Sequence, residues 1–269
     1  MYSSLGIVKN SRRSGKLVGT HQKLDKVARR LLPKLISKKT KFPSEQDIIY
    51  FEGSHGPDGI KRKSPGVDEP WHFVEPSQDD GRLIVVILDH QHNLRVALER
   101  DDMVRAAFEA AWLAHAITDG LTPAHHYPYD DIVEELRSDK DYKKVFGVEI
   151  KGIMRGQNLA QATRNNWLYW GANGVMTKHI AFEFGAASTI ATASLKSLTP
   201  KIKPTETKNI DLQKEFYKSL HKIHALHMYD RFLKSGWTTQ LAIETRNILM
   251  PEIVRAITLA WLSSLPASS

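Results

Sequence analysis

Apolar and polar positions alternate with a helical period along most of this chain. The pattern predicts an amphipathic, Lys/Arg-rich helix over about 20–35, capped by Thr20, and a short second helix opened by Pro43-Ser44. Asp101-Asp102 cap a strong helix whose apolar positions Val104, Phe108, Ala111, Trp112 and His115 recur at helical spacing up to Asp119. An Ala-rich helical pattern covers about 158–198, with a kink at Gly171 or Gly174, and amphipathic helices follow over about 211–233 and 238–262. The polar region that follows Asp119 is expected to hold a short helix from Asp130. The apolar run 83–88 fits a strand or the start of a helix, and period alone does not decide between them. Residues 53–81, rich in Gly, Pro, Asp and Lys, read as a long irregular loop rather than a linker. With no internal repeat in sight, these elements predict one all-α domain over residues 1–269, a multi-helix bundle carrying that loop.

Composition narrows the chemistry. At 269 residues with 41% apolar positions the chain is long enough for a sizeable core. Its +8 net charge favours an anionic partner: nucleic acid, phosphate esters or a lipid surface. The absence of cysteine removes disulfides and thiolate ligands, so a metal would have to be held by histidine and carboxylate. Arg12 and Arg13 in "NSRRSGKLVG" have no apolar stretch after them, so neither an export signal nor a transmembrane span is expected, and cytoplasmic residence is the default reading.

Residues four apart on a helix share one face, so His115 and Asp119 in "AHAITDGLTPAHHYP" can converge on one metal ion or on two neighbouring ions. His179 and Glu183, in "TKHIAFEF", repeat that spacing on a second helix, and His125 lies past a Gly-Leu-Thr-Pro turn that can fold it toward this second pair. Asp58 and His72 come from the long loop, and His21 from the first helix. Both helical pairs sit among apolar residues, where imidazoles and carboxylates need hydrogen-bond or metal partners. By contrast, His221, His224 and His227 drift around a helix face and read as a polar flank, His90 and His92 as part of a loop or cap, and Trp167, Tyr169 and Trp170 as core or cleft wall.

The segments "GTHQKLDKVA", "GPDGIKRKSPGVDEPWHFVEP", "LAHAITDGLTPAHH" and "HIAFE" together resemble the zinc-dependent phospholipase C family and its relatives, the single-strand-specific nucleases. The resemblance implies an all-helical fold with a cleft holding two to three zinc ions, and hydrolysis of a phosphodiester by in-line attack of a metal-bridging hydroxide on phosphorus. It implies Asp58, His72, His115 and Asp119 as ligands of one zinc, and His125, His179 and Glu183 as ligands of a second. His21 would serve a third that shares Asp119, and Asp58 would also orient the nucleophile or take its proton. Family members complete the third site with an N-terminal tryptophan, whereas this chain begins Met1-Tyr2, which leaves that site open. His55, Asp68 and Glu69 are alternatives to Asp58 in the same loop, and His126 is the alternative to His125.

Two substrates fit. Phe73 and Glu75 would hold a base by stacking and hydrogen bonding in a nuclease, while an aromatic at Phe73 also suits the phospholipase branch. The missing cysteines and Pro76 lean toward a phospholipid, the positive charge toward single-stranded nucleic acid, and Lys61-Arg62-Lys63 could meet phosphates in either case. A zinc-containing module that binds nucleic acid or lipid without hydrolysis is the reading from another class.

Overall fold

The computed structural model describes residues 19–53, 55–57, 73–77, 81–127, 132, 135–136, 154 and 156–266. Among the described residues, half of the helix starts fall where a side chain takes up one of the first unpaired N–H groups. Gln22 Oε1 reaches back 3.2 Å to the Gly19 N–H ahead of α1 (Thr20–Leu31), and Ser44 accepts from the Asp47 N–H ahead of α2 (Glu45–Glu52). Gly81, at φ 75, turns the chain into α3 (Arg82–Glu99), and Asp102 caps α4 (Met103–Gly120). Asn158 caps α5 (Leu159–Trp170), Gly174 precedes α6 (Val175–Ala191) and Asp211 caps α7 (Leu212–His224). After α8 (Met228–Ser235), Thr238 caps α9 (Thr239–Glu244), which runs through a π turn at Thr245–Leu249 into α10 (Met250–Ser263). Among the described residues there is no strand, and the all-α expectation holds.

Several boundaries differ from the sequence reading, each for a local reason. The run 83–88 is helical and opens α3; His90 and His92 sit inside that helix, where the His90 ring pairs through Nδ1 with Glu109 Oε2 at 2.6 Å. The 158–198 stretch breaks into α5 and α6 instead of kinking, because the chain folds so tightly at Gly174 that a Cβ there would lie 2.4 Å from the Tyr169 carbonyl oxygen. The 211–233 stretch divides at His227, which adopts φ 49. The last stretch stays continuous through its π turn: Pro251 has no N–H to offer the carbonyl four residues earlier, and a wider turn accommodates that gap. Val104 proves 70% exposed, and of the three aromatics near 170 only Tyr169 is buried, with Trp167 70% and Trp170 46% exposed.

Helix α4 runs through the middle of the core. Its Ala106, Ala107, Ala110, Ala111 and Ala114 are buried, and these short side chains let α1, α2, α3 and α10 approach closely. Trp261 of α10 donates its Nε1–H to the Ala110 carbonyl at 3.0 Å and lies against Phe42. Where α4 ends, a Cβ on Gly120 would come within 2.4 Å of the Leu83 side chain and 3.0 Å of Phe216, so a larger residue directly after Asp119 would force these core side chains to shift. Lys23 reaches from α1 to the carbonyls of Ile190 and Ala191, at 2.5 and 3.1 Å, satisfying the C-terminus of α6 and tying the two helices together.

A buried ion network fastens α7 to α10. Arg255 donates to Glu252 (2.9 Å), Glu206 (3.0 Å) and Glu215 (2.8 Å), and Glu252 also accepts from Ser219 and Lys222. Burial would raise the Glu252 carboxyl, but the Lys222 and Arg255 partners hold it below its ordinary value of 4.5. A carboxyl lowered in the folded state contributes stability above that ordinary value and loses it as pH falls through the lowered one. Glu252→Gln should therefore cost about 1–3 kcal/mol at pH 7, and much less at pH 3, when urea midpoints of the two proteins are compared.

Candidate metal centre

Four helices and one turn bring the candidate ligands together. The first turn of α1 supplies His21, the last residue of α2 supplies Glu52, and the final turns of α4 supply His115 and Asp119; all four are buried. The His21 and His115 rings lie 4.4 Å apart between two carboxylates. On one side both Nδ1 atoms face Glu52 Oε1, at 3.2 Å from His21 and 2.9 Å from His115. On the other, the Nε2 of His21 lies 3.2 Å from Asp119 Oδ1 and that of His115 3.1 Å from Asp119 Oδ2.

The second group is built by the Pro123–His126 turn and by α6. His125 Nε2 and His179 Nε2 approach the same oxygen, Glu183 Oε1, at 3.0 and 3.1 Å, with the two rings 4.8 Å apart. Helical spacing puts His179 and Glu183 on one face, and the turn folds His125 back onto them. Phe73 stacks on His125 with ring centres 5.1 Å apart, and the Val74 N–H donates to the His125 carbonyl, anchoring this end of the 73–77 segment beside the group. Glu75 is half-buried and accepts from Ser77.

The two groups interact electrostatically through Asp119. Burial would push its carboxyl up, yet neighbouring positive charge, to which His115 and His21 contribute, holds it well below the usual carboxylate range. Glu183 behaves likewise: burial is overcome by neighbouring positive charge together with the hydrogen bonds from His179 and His125, and its carboxyl is well lowered. Burial disfavours charge on His115 too, but Glu52 and Asp119 raise it well above an ordinary imidazole. His125 is lowered by burial, which favours the neutral ring that a metal requires.

Six of the sequence-predicted ligands, His21, His115, Asp119, His125, His179 and Glu183, thus gather in two adjoining groups, while Asp58 and His72 lie outside the described residues, as do Asp68, Glu69 and the 61–63 basic run. His126 points elsewhere. Its Nε2 hydrogen-bonds the Gly120 carbonyl at 2.9 Å, and burial lowers the ring to about 3. His55 is exposed and stacks on Tyr50.

Sequence reasoning missed Glu52 and Asp25. Glu52 shares the buried face of α2 with Ile48 four residues earlier, the one signal that marked it. Asp25 stands four residues after His21, at the same spacing that marked the other two pairs, yet it lies in a stretch that reads as polar surface. Burial and the neighbouring Glu52 raise the Asp25 carboxyl well above its usual range.

The donor set fits metal ions. One ligand atom from each of His21, Glu52 and His115 lies within 4.8 Å of the others, and the same is true of His125, His179 and Glu183. The buried Glu52 Oε2 has no hydrogen-bond partner, and His21 is held by 3.2 Å contacts to Glu52 and Asp119 that fall short of good hydrogen-bond geometry, an arrangement that a shared cation would relieve. The chain matches no family model, no curated protein and no solved structure.

Proposed function

We propose that the protein is a zinc-dependent phosphodiester hydrolase of the phospholipase C type. The observation that carries this reading is the pair of adjoining buried imidazole–carboxylate groups with Asp119 acting on both. All their donors are nitrogen or oxygen, and histidine with carboxylate suits zinc. When bound, close zinc ions supply a nucleophilic water of lowered pKa and neutralise charge on the phosphoryl oxygens.

The chain's own residues then have distinct tasks. Asp119, kept ionised, offers one oxygen toward each of His21 and His115 and would help hold an ion between them. Glu183 accepts the facing edges of His125 and His179. Glu52 orients two rings at once: with both Nδ1 atoms directed to it, both Nε2 atoms are turned toward Asp119, the arrangement in which a carboxylate fixes the tautomer of metal-binding imidazoles. Glu52→Gln should therefore weaken zinc affinity about 10–100-fold while leaving the number of sites unchanged in a competitive chelator titration. Loss of a whole equivalent would make Glu52 a ligand instead.

The phospholipid reading draws support from an exposed apolar stripe on α5, the helix packed against α6. Leu159 (84% exposed), Trp167 and Trp170 lie within one face of that helix, beside the exposed Arg164. Tryptophan with a nearby cation suits a headgroup interface. Among the described residues no helix is long and apolar enough to cross a membrane. The single-strand nuclease reading draws on Phe73, whose ring beside His125 could stack on a base.

A side-by-side assay on mixed phospholipid micelles, single-stranded DNA, RNA and a small chromogenic phosphodiester, at fixed salt, tests these readings. Under the lipid reading Trp167→Ala lowers turnover of micellar lipid and spares the small ester. Under the nuclease reading Phe73→Ala removes about 1–3 kcal/mol of single-strand binding, and lipid is not cut. Zinc bound with none of these substrates hydrolysed would instead make the protein a binding module.

A further inference from the structure

Outside the buried groups, a second set of histidines converges at the surface where the Pro123–His126 turn meets the corner between α7 and α8. His126, Tyr127, His224, His227 and Asp230 line a cleft there. The His126 and His224 ring centres are 5.9 Å apart, and so are those of His224 and His227. With a metal–nitrogen bond of about 2.0–2.1 Å, two imidazoles on one ion place their ring centres roughly 5.2 Å apart at a tetrahedral angle and at most about 6.4 Å apart. Both of these spacings fall inside that range; no ring contact joins His126 to His227, so the exposed His227 side chain would have to turn for its nitrogen to meet the other two.

Hydrogen bonding already prepares two of the rings. His126 is held through Nε2 by the Gly120 carbonyl, so Nε2 carries the proton and Nδ1 keeps the lone pair. His227 Nδ1 lies 3.2 Å from Asp230 Oδ2, which leaves Nε2 as its donor atom. A carbonyl or carboxylate behind the far nitrogen is the usual outer support of a metal-bound imidazole. His227 also holds a left-handed backbone at φ 49, unusual for a residue with a side chain; this reversal returns the chain over the end of α7 and sets His227 beside His224.

We propose that His126, His224 and His227, with Asp230 supporting His227, form a separate surface site for a divalent transition cation of the zinc class. Three imidazoles without thiolate favour Zn²⁺, Ni²⁺ or Cu²⁺ over Mg²⁺ or Ca²⁺. Because His126 directly follows His125, an ion held here staples the turn carrying one candidate ligand of the buried centre to the α7–α8 corner. The proposal does not depend on hydrolytic activity.

The test titrates metal-free protein with Zn²⁺ by calorimetry and scores equivalents bound, comparing wild type with the double variant His224→Ala/His227→Ala. Both positions are exposed, and circular dichroism with metal-free melting confirms the fold. The wild type should bind one equivalent more than the double variant, and that equivalent should raise the Tm of the wild type alone. His221→Ala, an exposed histidine one turn before His224, should keep the full count. Equal counts in wild type and double variant would overturn the proposal. If the buried centre takes no zinc, the count should be one against none, so failure of that reading is separately visible.

Discussion

Protein purified without chelator should carry at least two zinc ions per chain in the buried centre, and stripping them should abolish phosphodiester hydrolysis and lower Tm by about 8–16 °C. The size follows from linkage: a ligand present at about 1,000 times its Kd stabilises the folded state by about 4 kcal/mol, and each kcal/mol moves Tm by roughly 2–4 °C in a chain this large. Burial supplies the reason that the folded state should gain so much. His21, Glu52, His115 and Asp119 are withdrawn from water together, and Glu52 Oε2 has no hydrogen-bond partner there. Elemental analysis and differential scanning calorimetry before and after chelation measure both quantities. Only trace metal in protein never exposed to chelator, or a Tm indifferent to its removal, would defeat the assignment.

The second large effect concerns a single ligand. His115→Ala should lower hydrolysis of a small phosphodiester by at least about 10³-fold, roughly 4 kcal/mol of transition-state stabilisation. His115 stands between Glu52 and Asp119, and losing it leaves two buried acidic groups facing an emptied space. His92→Ala, an exposed position on α3, should leave hydrolysis unchanged. A merely unfolded variant is distinguished by its zinc content: the His125, His179 and Glu183 group should still bind metal when His115 is gone. Equal losses in both variants, or none in His115→Ala, would mean that the chemistry lies elsewhere.

Much of this centre was legible because helices translate sequence spacing directly into shared faces. His115 with Asp119, and His179 with Glu183, needed only that rule, and the Gly-Leu-Thr-Pro turn explained how His125 rejoins them. Glu52 was harder, because its role depends on α2 lying across both α1 and α4, a tertiary relation that no local period encodes. Asp25 obeyed the rule but was masked by the lysines around it. The helix breaks were obscured for a related reason: the Ala-rich pattern on either side of Gly171–Gly174 keeps one period, and only the close approach to the Tyr169 carbonyl reveals the break. The exposure of Trp167 and Trp170 ran against their hydrophobicity, as is common for residues with work to do at a boundary.

The π turn at Thr245–Leu249 has a mechanical meaning. The stretch before α10 packs on α6, which carries His179 and Glu183, whereas α10 itself packs on α4, which carries His115 and Asp119. The wider turn changes the helix's rotational phase between these two contacts, so one uninterrupted rod presents a different face to each half of the centre. The separation of the two ligand groups is thereby gauged along a single rigid element. Slackening the C-terminal helix at any point would disturb the alignment of both halves together.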